Sequence, residues 1–152
     1  MGEGHPVLLV ARVPGAGDLP LPQAATEWSA GIDLRAAVSE PVVIPPLGRA
    51  IVGTGIRVAL PAGHEGQVRP RSGLALRHGI TILNSPGTVD ADYRGEIQVI
   101  LVNLGAEPYT VSRGDRVAQL VVARVASVRV EEVAELPGSD RGDGGFGHSG
   151  YR

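Results

Sequence analysis

Two aspartates, Asp33 and Asp90, sit with arginines and aromatics in five turn-like clusters that mix glycine with charge. The clusters read AGIDL (30–34), PRSGLA (70–75), NSPGTVDADYRGE (84–96), RGDRVAQL (113–120) and RGDGGFGHSG (141–150). Arg71 and Arg141, with Arg116 as a third, are fixed cations whose planar donor forks suit phosphate oxygens. Ser72 and the amides of Gly73 and its neighbours, at a helix start, offer donors to an anion. Asp33 and Asp90 can accept hydrogen bonds from water, including water carried by a magnesium ion. Tyr93 and Phe146 are flat faces suited to a sugar and a base. Asn84 carries an amide that both donates and accepts, as a base edge requires. Together these groups are the equipment for a nucleoside polyphosphate.

Taken singly, each cluster also has a structural reading. Asp33 could close a turn before a strand. Ser72 could cap a short helix. Asp90, Asp92 and Arg94 could be a solvated hairpin tip. The tripeptide RGD, at Arg113 and Arg141, is common by chance and is a weak sign of adhesion. There is no P-loop and no His-Glu-x-x-His. His5, His64, His78 and His148 lack metal-ligand spacing and read as surface or packing residues.

Positioning five such clusters falls to short β-branched runs ended by Gly, Pro or Asp. Strands are predicted over 7–13, 32–37, 49–60, 66–68, 80–83, 96–104, 116–125 and 128–133. The run from Ile97 to Asn103 alternates poorly, which predicts burial on both faces. One short helix is predicted over 73–78, with Ser72 as its N-cap. Many short strands separated by turn signals point to an all-β sandwich or barrel.

Composition changes once, at Pro137-Gly138. A 1–136 core and a 137–152 arm are expected; the arm holds six glycines and the chain's one phenylalanine. Fully extended, an arm of that length spans roughly 50–58 Å. Glycine loses more backbone freedom on ordering than any other residue. The arm is therefore expected to move freely when the site is empty and to close over bound nucleotide, Phe146 gaining its burial from the ligand.

The 152 residues fit one domain. The absence of cysteine excludes disulfides and Cys-ligated zinc. A net charge of −2 argues against a general nucleic-acid binder. No apolar run is long enough to span a bilayer as a helix. A soluble, cytoplasmic protein with no membrane partner is expected.

The five clusters, in this order and spacing, resemble the five motifs of the trimeric dUTP diphosphatases (dUTPases), and the resemblance runs from Ala30 into the tail. GTVDADYRGE and RGDGGFG within one chain of this length carry most of it. The resemblance implies an all-β, jelly-roll-like β barrel assembled as a homotrimer, with sites shared between subunits. It implies hydrolysis of dUTP to dUMP and pyrophosphate, with Mg2+ as cofactor, which limits uracil in DNA and supplies dUMP for thymidylate synthesis.

Carried over residue by residue, the resemblance makes Asp90 the carboxylate that orients and deprotonates the attacking water. Asp33 holds the metal's water shell rather than the metal. Arg71, Ser72, Gly73 and Gln119 surround the phosphates. Asn84 and the backbone of the following hairpin, with Gly87 and Val89, read the uracil edge. Tyr93 lies against the deoxyribose and leaves no room for a 2′-hydroxyl. Arg141 meets the γ-phosphate, and Phe146, with Gly147 beside it, stacks on uracil. After GGFG the family continues Ser-Thr-Gly, whereas this chain reads His148-Ser149-Gly150. An imidazole replaces one hydroxyl there, and the roles of His148 and Ser149 stay open. A dCTP deaminase shares the fold but uses a different serine-rich arginine motif and a glutamate base. PRSGLALRHG and the Gly-rich tail favour the diphosphatase.

Overall fold

The computed structural model describes residues 6–145. Among them are ten strands and one helix: β1 (Leu9–Arg12), β2 (Gly31–Arg35), β3 (Val42–Ile44), β4 (Arg49–Ala59), β5 (His64–Arg69), α1 (Ser72–His78), β6 (Ile80–Ile82), β7 (Gly87–Val89), β8 (Glu96–Asn103), β9 (Tyr109–Val111) and β10 (Arg116–Arg124). One four-stranded sheet runs β1-β4-β8-β6 and a second runs β2-β10-β5-β7, with β3 and β9 forming a separate ribbon. Every pairing is antiparallel. This is the jelly-roll fold expected, laid out as packed sheets rather than a closed barrel.

The core forms where inward side chains of the two sheets meet. Leu34, Val52, Ile80, Ile97, Val99, Leu101, Val117 and Leu120 are all buried there. Close packing of this kind is the dominant favourable term in folding. Two buried polar side chains are both satisfied. The Thr54 hydroxyl donates to the Ile97 carbonyl at 2.7 Å, and Asn103 Nδ2 donates to the carbonyls of Ile44 (2.9 Å) and Glu107 (2.8 Å). Asn103 thereby ties β8 to β3, which joins the ribbon to the β1-β4-β8-β6 sheet.

Three expectations need correction. Ser72 does not cap α1; Arg71 holds the N-cap position in extended backbone, no side chain caps the helix, and Ser72 is the first helical residue. Gly79 ends the helix with φ 67°, a left-handed conformation that glycine adopts without a Cβ penalty. The strand β8 is not buried on both faces throughout: Ile97, Val99 and Leu101 point inward while Gln98 is exposed and Ile100 half-buried. Only its last three residues are buried in succession. The run 128–133 forms no strand, and among the described residues no strand pairs with it. Val128 and Val130 stand 80% and 91% exposed.

Candidate active site

Antiparallel register builds the first part of the site. Gln119 in β10 pairs with Asp33 in β2 on one side and with Arg69 in β5 on the other. Directly opposed residues in neighbouring strands share a face. The three side chains therefore stand in one row across the sheet, on the face away from the core. Two positions along, Gly31 and Val121 continue that face. The following residues, Leu34, Leu120 and Val68, turn inward and are buried.

Over this row lies a hollow of about 650 Å³, walled on one side by the row and on the other by Arg71 and α1. Arg71 Nε donates to Asp33 Oδ1 at 3.1 Å, and Arg116 Nη1 donates to Asp33 Oδ2 at 3.2 Å. One carboxylate thus orients two guanidinium groups. Gln119 Nε2 donates to the Pro70 carbonyl at 3.0 Å, which leaves its amide oxygen free to turn over Gly31. A Cβ on Gly31 would collide with the Gln119 side chain and force it to shift, so glycine here keeps Gln119 in place. Ser72 and Gly73 also line the hollow, and the first amides of a helix have no intrahelical acceptor. Four arginines, Arg69, Arg71, Arg77 and Arg116, face one carboxylate, Asp33. The chemistry is that of an anion site.

The remaining candidates gather elsewhere. Asn84, Gly87, Val89, Asp90 and Tyr93 line a cleft of about 270 Å³ that opens between the sheets, floored by Val68, Ile82 and Val99. The Asn84 amide rests against Gly87, where a Cβ would lie 3.2 Å from Nδ2. Asp90 directly follows β7 and is exposed beside the cleft, and its carbonyl accepts from the Tyr93 amide at 3.1 Å. The Tyr93 hydroxyl donates to the Glu96 carbonyl at 3.0 Å, and its ring covers Gly95, where no Cβ would fit. Glu96 in turn accepts from the Gly55 amide at 2.8 Å, in the bulged stretch of β4. The hairpin bearing Asp90 is therefore locked onto β8 and β4 of the neighbouring sheet. This cleft offers a partly apolar slot whose lining includes the Asn84 amide and the Asp90 carboxylate.

No described residue lines both spaces. Arg141 lies in neither; it is exposed, in a turn where its Nε donates to the Gly144 carbonyl at 2.8 Å. Phe146, Gly147, His148 and Ser149 fall outside the described residues. The first RGD has a structural role. Arg113 Nη2 pairs with Asp18 at 2.6 Å and also reaches the Gly15 carbonyl, pinning the 15–18 loop. That pairing holds the Asp18 carboxyl down at about 2, mainly through the Arg113 hydrogen bond. Among the described residues no helix is long and apolar enough to cross a membrane. Sequence reasoning missed Arg69 and Arg77 as walls of the anion hollow. Arg69 sits one residue before the second cluster, and an arginine on a short helix reads as a solvated one.

The dUTPase family model matches residues 18–150. A dUTPase of Staphylococcus bacteriophage 80alpha, solved with dUpNHpp, superposes with a TM-score of 0.81 at 27% identity, over 95% of this chain and 98% of that one. A mutant of the same phage enzyme with dUpNHpp gives a TM-score of 0.84 at 25% identity, over 95% and 98%. A mutant dUTPase from phage phi11 of S. aureus, described as coordinating a structural Mg(II) ion, shares the fold at 23% identity and a TM-score of 0.76, over 87% and 99%.

Proposed function

The chain belongs to the dUTPase family, enzymes that hydrolyse dUTP, and on that footing we propose how its residues divide the work. The anion hollow takes the triphosphate: Arg71, Ser72, the Gly73 amide and Gln119 bind its oxygens, and Asp33 holds the arginines at the right pitch. The cleft takes the deoxyuridine. Asn84 and the backbone of Gly87 and Val89 pair with the uracil edge. The Tyr93 ring, fixed over Gly95, fills the space that a 2′-hydroxyl would need. Asp90 accepts a proton from a water, which attacks the α-phosphorus; the bond to the β-phosphate oxygen breaks, and dUMP and pyrophosphate leave. Such phosphoryl chemistry rests on positioning and charge neutralisation rather than on covalent help.

Magnesium fits the donor set through water. Both Asp33 oxygens already accept from guanidinium groups, so Asp33 is suited to hold waters of the ion's shell and not the ion itself. The described residues contain no group of three side chains able to cage a metal, and magnesium favours substrate phosphates over such cages. When bound with the triphosphate it would neutralise the phosphate charge.

The observation that carries the arrangement is the separation of the two spaces on opposite faces of β5. A nucleotide's phosphates and its base are joined, so a hollow and a cleft that face apart in one chain are completed from different chains. A homotrimer with shared sites supplies them. Exposed apolar side chains, among them Ile51 at 63% and Leu104 at 62%, are of the kind that contacts between subunits cover. In this arrangement 1–136 is the core and 137–152 a lid. The lid brings Arg141 to the γ-phosphate and Phe146, flanked by Gly147, to the base. A cytoplasmic enzyme of this kind keeps uracil out of DNA and supplies dUMP for thymidylate synthesis.

Pyrophosphate release from a panel of deoxynucleoside triphosphates, with and without magnesium, tests the reading. Rapid release from dUTP alone, dependent on the metal, is expected. Equal release from dCTP or dTTP would remove the cleft as a uracil reader.

A further inference from the structure

Among the four arginines of the anion hollow, one has its donors unspent. Arg69 donates from Nε and Nη2 to Gln67 Oε1. Arg71 and Arg116 are both paired with Asp33. Among the described residues the Arg77 guanidinium makes no hydrogen bond and no ion pair. Though solvent-exposed, it lines the hollow. The cause is local. Residues four apart share a helix face, so Arg77 lies above Gly73. The missing Cβ of Gly73 leaves room for the guanidinium, with Nη2 only 3.1 Å from where that Cβ would be. The side chain therefore runs back along α1 to the Ser72–Gly73 end, where the hollow's other donors sit.

We infer that Arg77 is a further phosphate-binding residue, which takes the pyrophosphate portion of the substrate and holds the pyrophosphate product. This rests on the dUTP-hydrolysing reading of the same hollow. A guanidinium with all five donors free and no counter-charge gains most from a partner that is anionic and multiply accepting. Its neighbours Arg71 and Arg116 share one carboxylate, so part of their charge is already answered. Arg69 spends its donors on the neutral Gln67 amide, and Arg77 is the cation with neither a donor spent nor its charge answered. Its fork geometry, which a lysine lacks, suits two oxygens of one phosphate. Because Gly73 and Arg77 are coupled through space, Gly73 serves twice: its amide faces the phosphates, and its bare Cα seats the arginine.

Arg77→Gln and Arg77→Lys test this by titration with inorganic pyrophosphate and with dUMP, alongside light scattering of each protein. Arg77→Gln is expected to weaken pyrophosphate binding by about 10–100-fold, the scale of a charge-assisted hydrogen bond. Arg77→Lys should fall between it and the parent, and dUMP binding should stay unchanged in both. Unchanged pyrophosphate affinity would overturn the inference. So would equal losses for pyrophosphate and dUMP, which mark a general disturbance of the fold. A change of oligomeric state in both variants would assign the guanidinium to a contact between chains and overturn it as well. The parent protein separates this from the broader reading. If the parent releases no pyrophosphate from dUTP, the reading of the site fails, while its own pyrophosphate titration still judges Arg77.

Discussion

Val68 and Arg69 are successive residues of β5 that serve different spaces: Arg69 walls the anion hollow, and Val68 floors the cleft between the sheets. Alternation along a strand sends neighbouring side chains to opposite faces. The strand is therefore a partition. On its outer side stand Asp33, Gln119 and the arginines, and on its inner side open the cleft and Asp90. The consequences fall on four sets of residues and on the assembly.

Gly31→Ala should act through Gln119. A methyl at position 31 drives the Gln119 side chain off its seat and breaks its bond to the Pro70 carbonyl. Substrate affinity should fall by roughly 10–100-fold, as expected for losing a hydrogen bond to a charged group. Gln119→Ala should match it. The double variant should be no worse than either single one, because both act through one side chain. Additive losses measured by steady-state kinetics would show that Gly31 matters for another reason.

Tyr93→Ala should relax discrimination between sugars. The ring is held over Gly95 by the hydroxyl's bond to the Glu96 carbonyl, and its removal opens space for a 2′-hydroxyl. The ratio of kcat/KM for dUTP over UTP should drop by about 10–200-fold. A ratio that does not move would assign the selection to other groups.

The Asp18–Arg113 pair should make stability depend on pH in acid. The folded-state pKa of Asp18, about 2, lies below its ordinary value of 3.8. The contribution is therefore present in full above about pH 4 and is lost as pH falls toward 2. Both partners are solvent-exposed, so the effect is modest and fades with salt. Urea midpoints of the parent and Asp18→Asn should differ at neutral pH and converge below pH 4. A gap that stays constant through that window would mean the carboxylate's charge is not what matters.

Truncation after Leu136 should separate folding from catalysis. Residues 137–143 are exposed throughout and contribute nothing to the core. Thermal stability without ligand should shift by no more than a surface change does, about 0.5 kcal/mol. Turnover should collapse with the loss of Arg141 and Phe146. A truncated protein that keeps full activity would rule out the lid.

Much of this was legible in the sequence, and the gaps have physical causes. Long β-branched runs such as 49–60 and 116–125 formed strands within a residue or so of their expected ends. The short strands β3, β7 and β9 were missed because three residues carry little period-two signal and prolines sit at their edges (Pro41 and Pro45, Pro86, and Pro108), whereas the equally short β6 is a run of β-branched residues, Ile80-Thr81-Ile82. The valines at 128–133 have strand chemistry but, among the described residues, no strand to pair with. The residues expected from the clusters line the hollow (Asp33, Arg71, Ser72, Gly73, Gln119) and the cleft (Asn84, Gly87, Val89, Asp90, Tyr93). Their division between two faces was not legible, because it depends on the register of β10 against β2 and β5. Arg77 was invisible for a similar reason: its meaning lies in its fit against Gly73.

The central claim, that each site joins the hollow of one chain to the cleft of another, is tested most directly by complementation. Arg71→Ala spoils the hollow and leaves the cleft intact. Asp90→Asn spoils the cleft, removing a general base that typically contributes about 10²–10⁴ in rate. Each protein alone should be nearly inactive. Refolded together into mixed assemblies, verified by native mass spectrometry, they should recover dUTP turnover. The recovered sites would pair the sound hollow of an Asp90→Asn chain with the sound cleft of an Arg71→Ala chain. Mixed assemblies that stay as inactive as the separate variants would contradict the account, because hollow and cleft would then belong to the same chain.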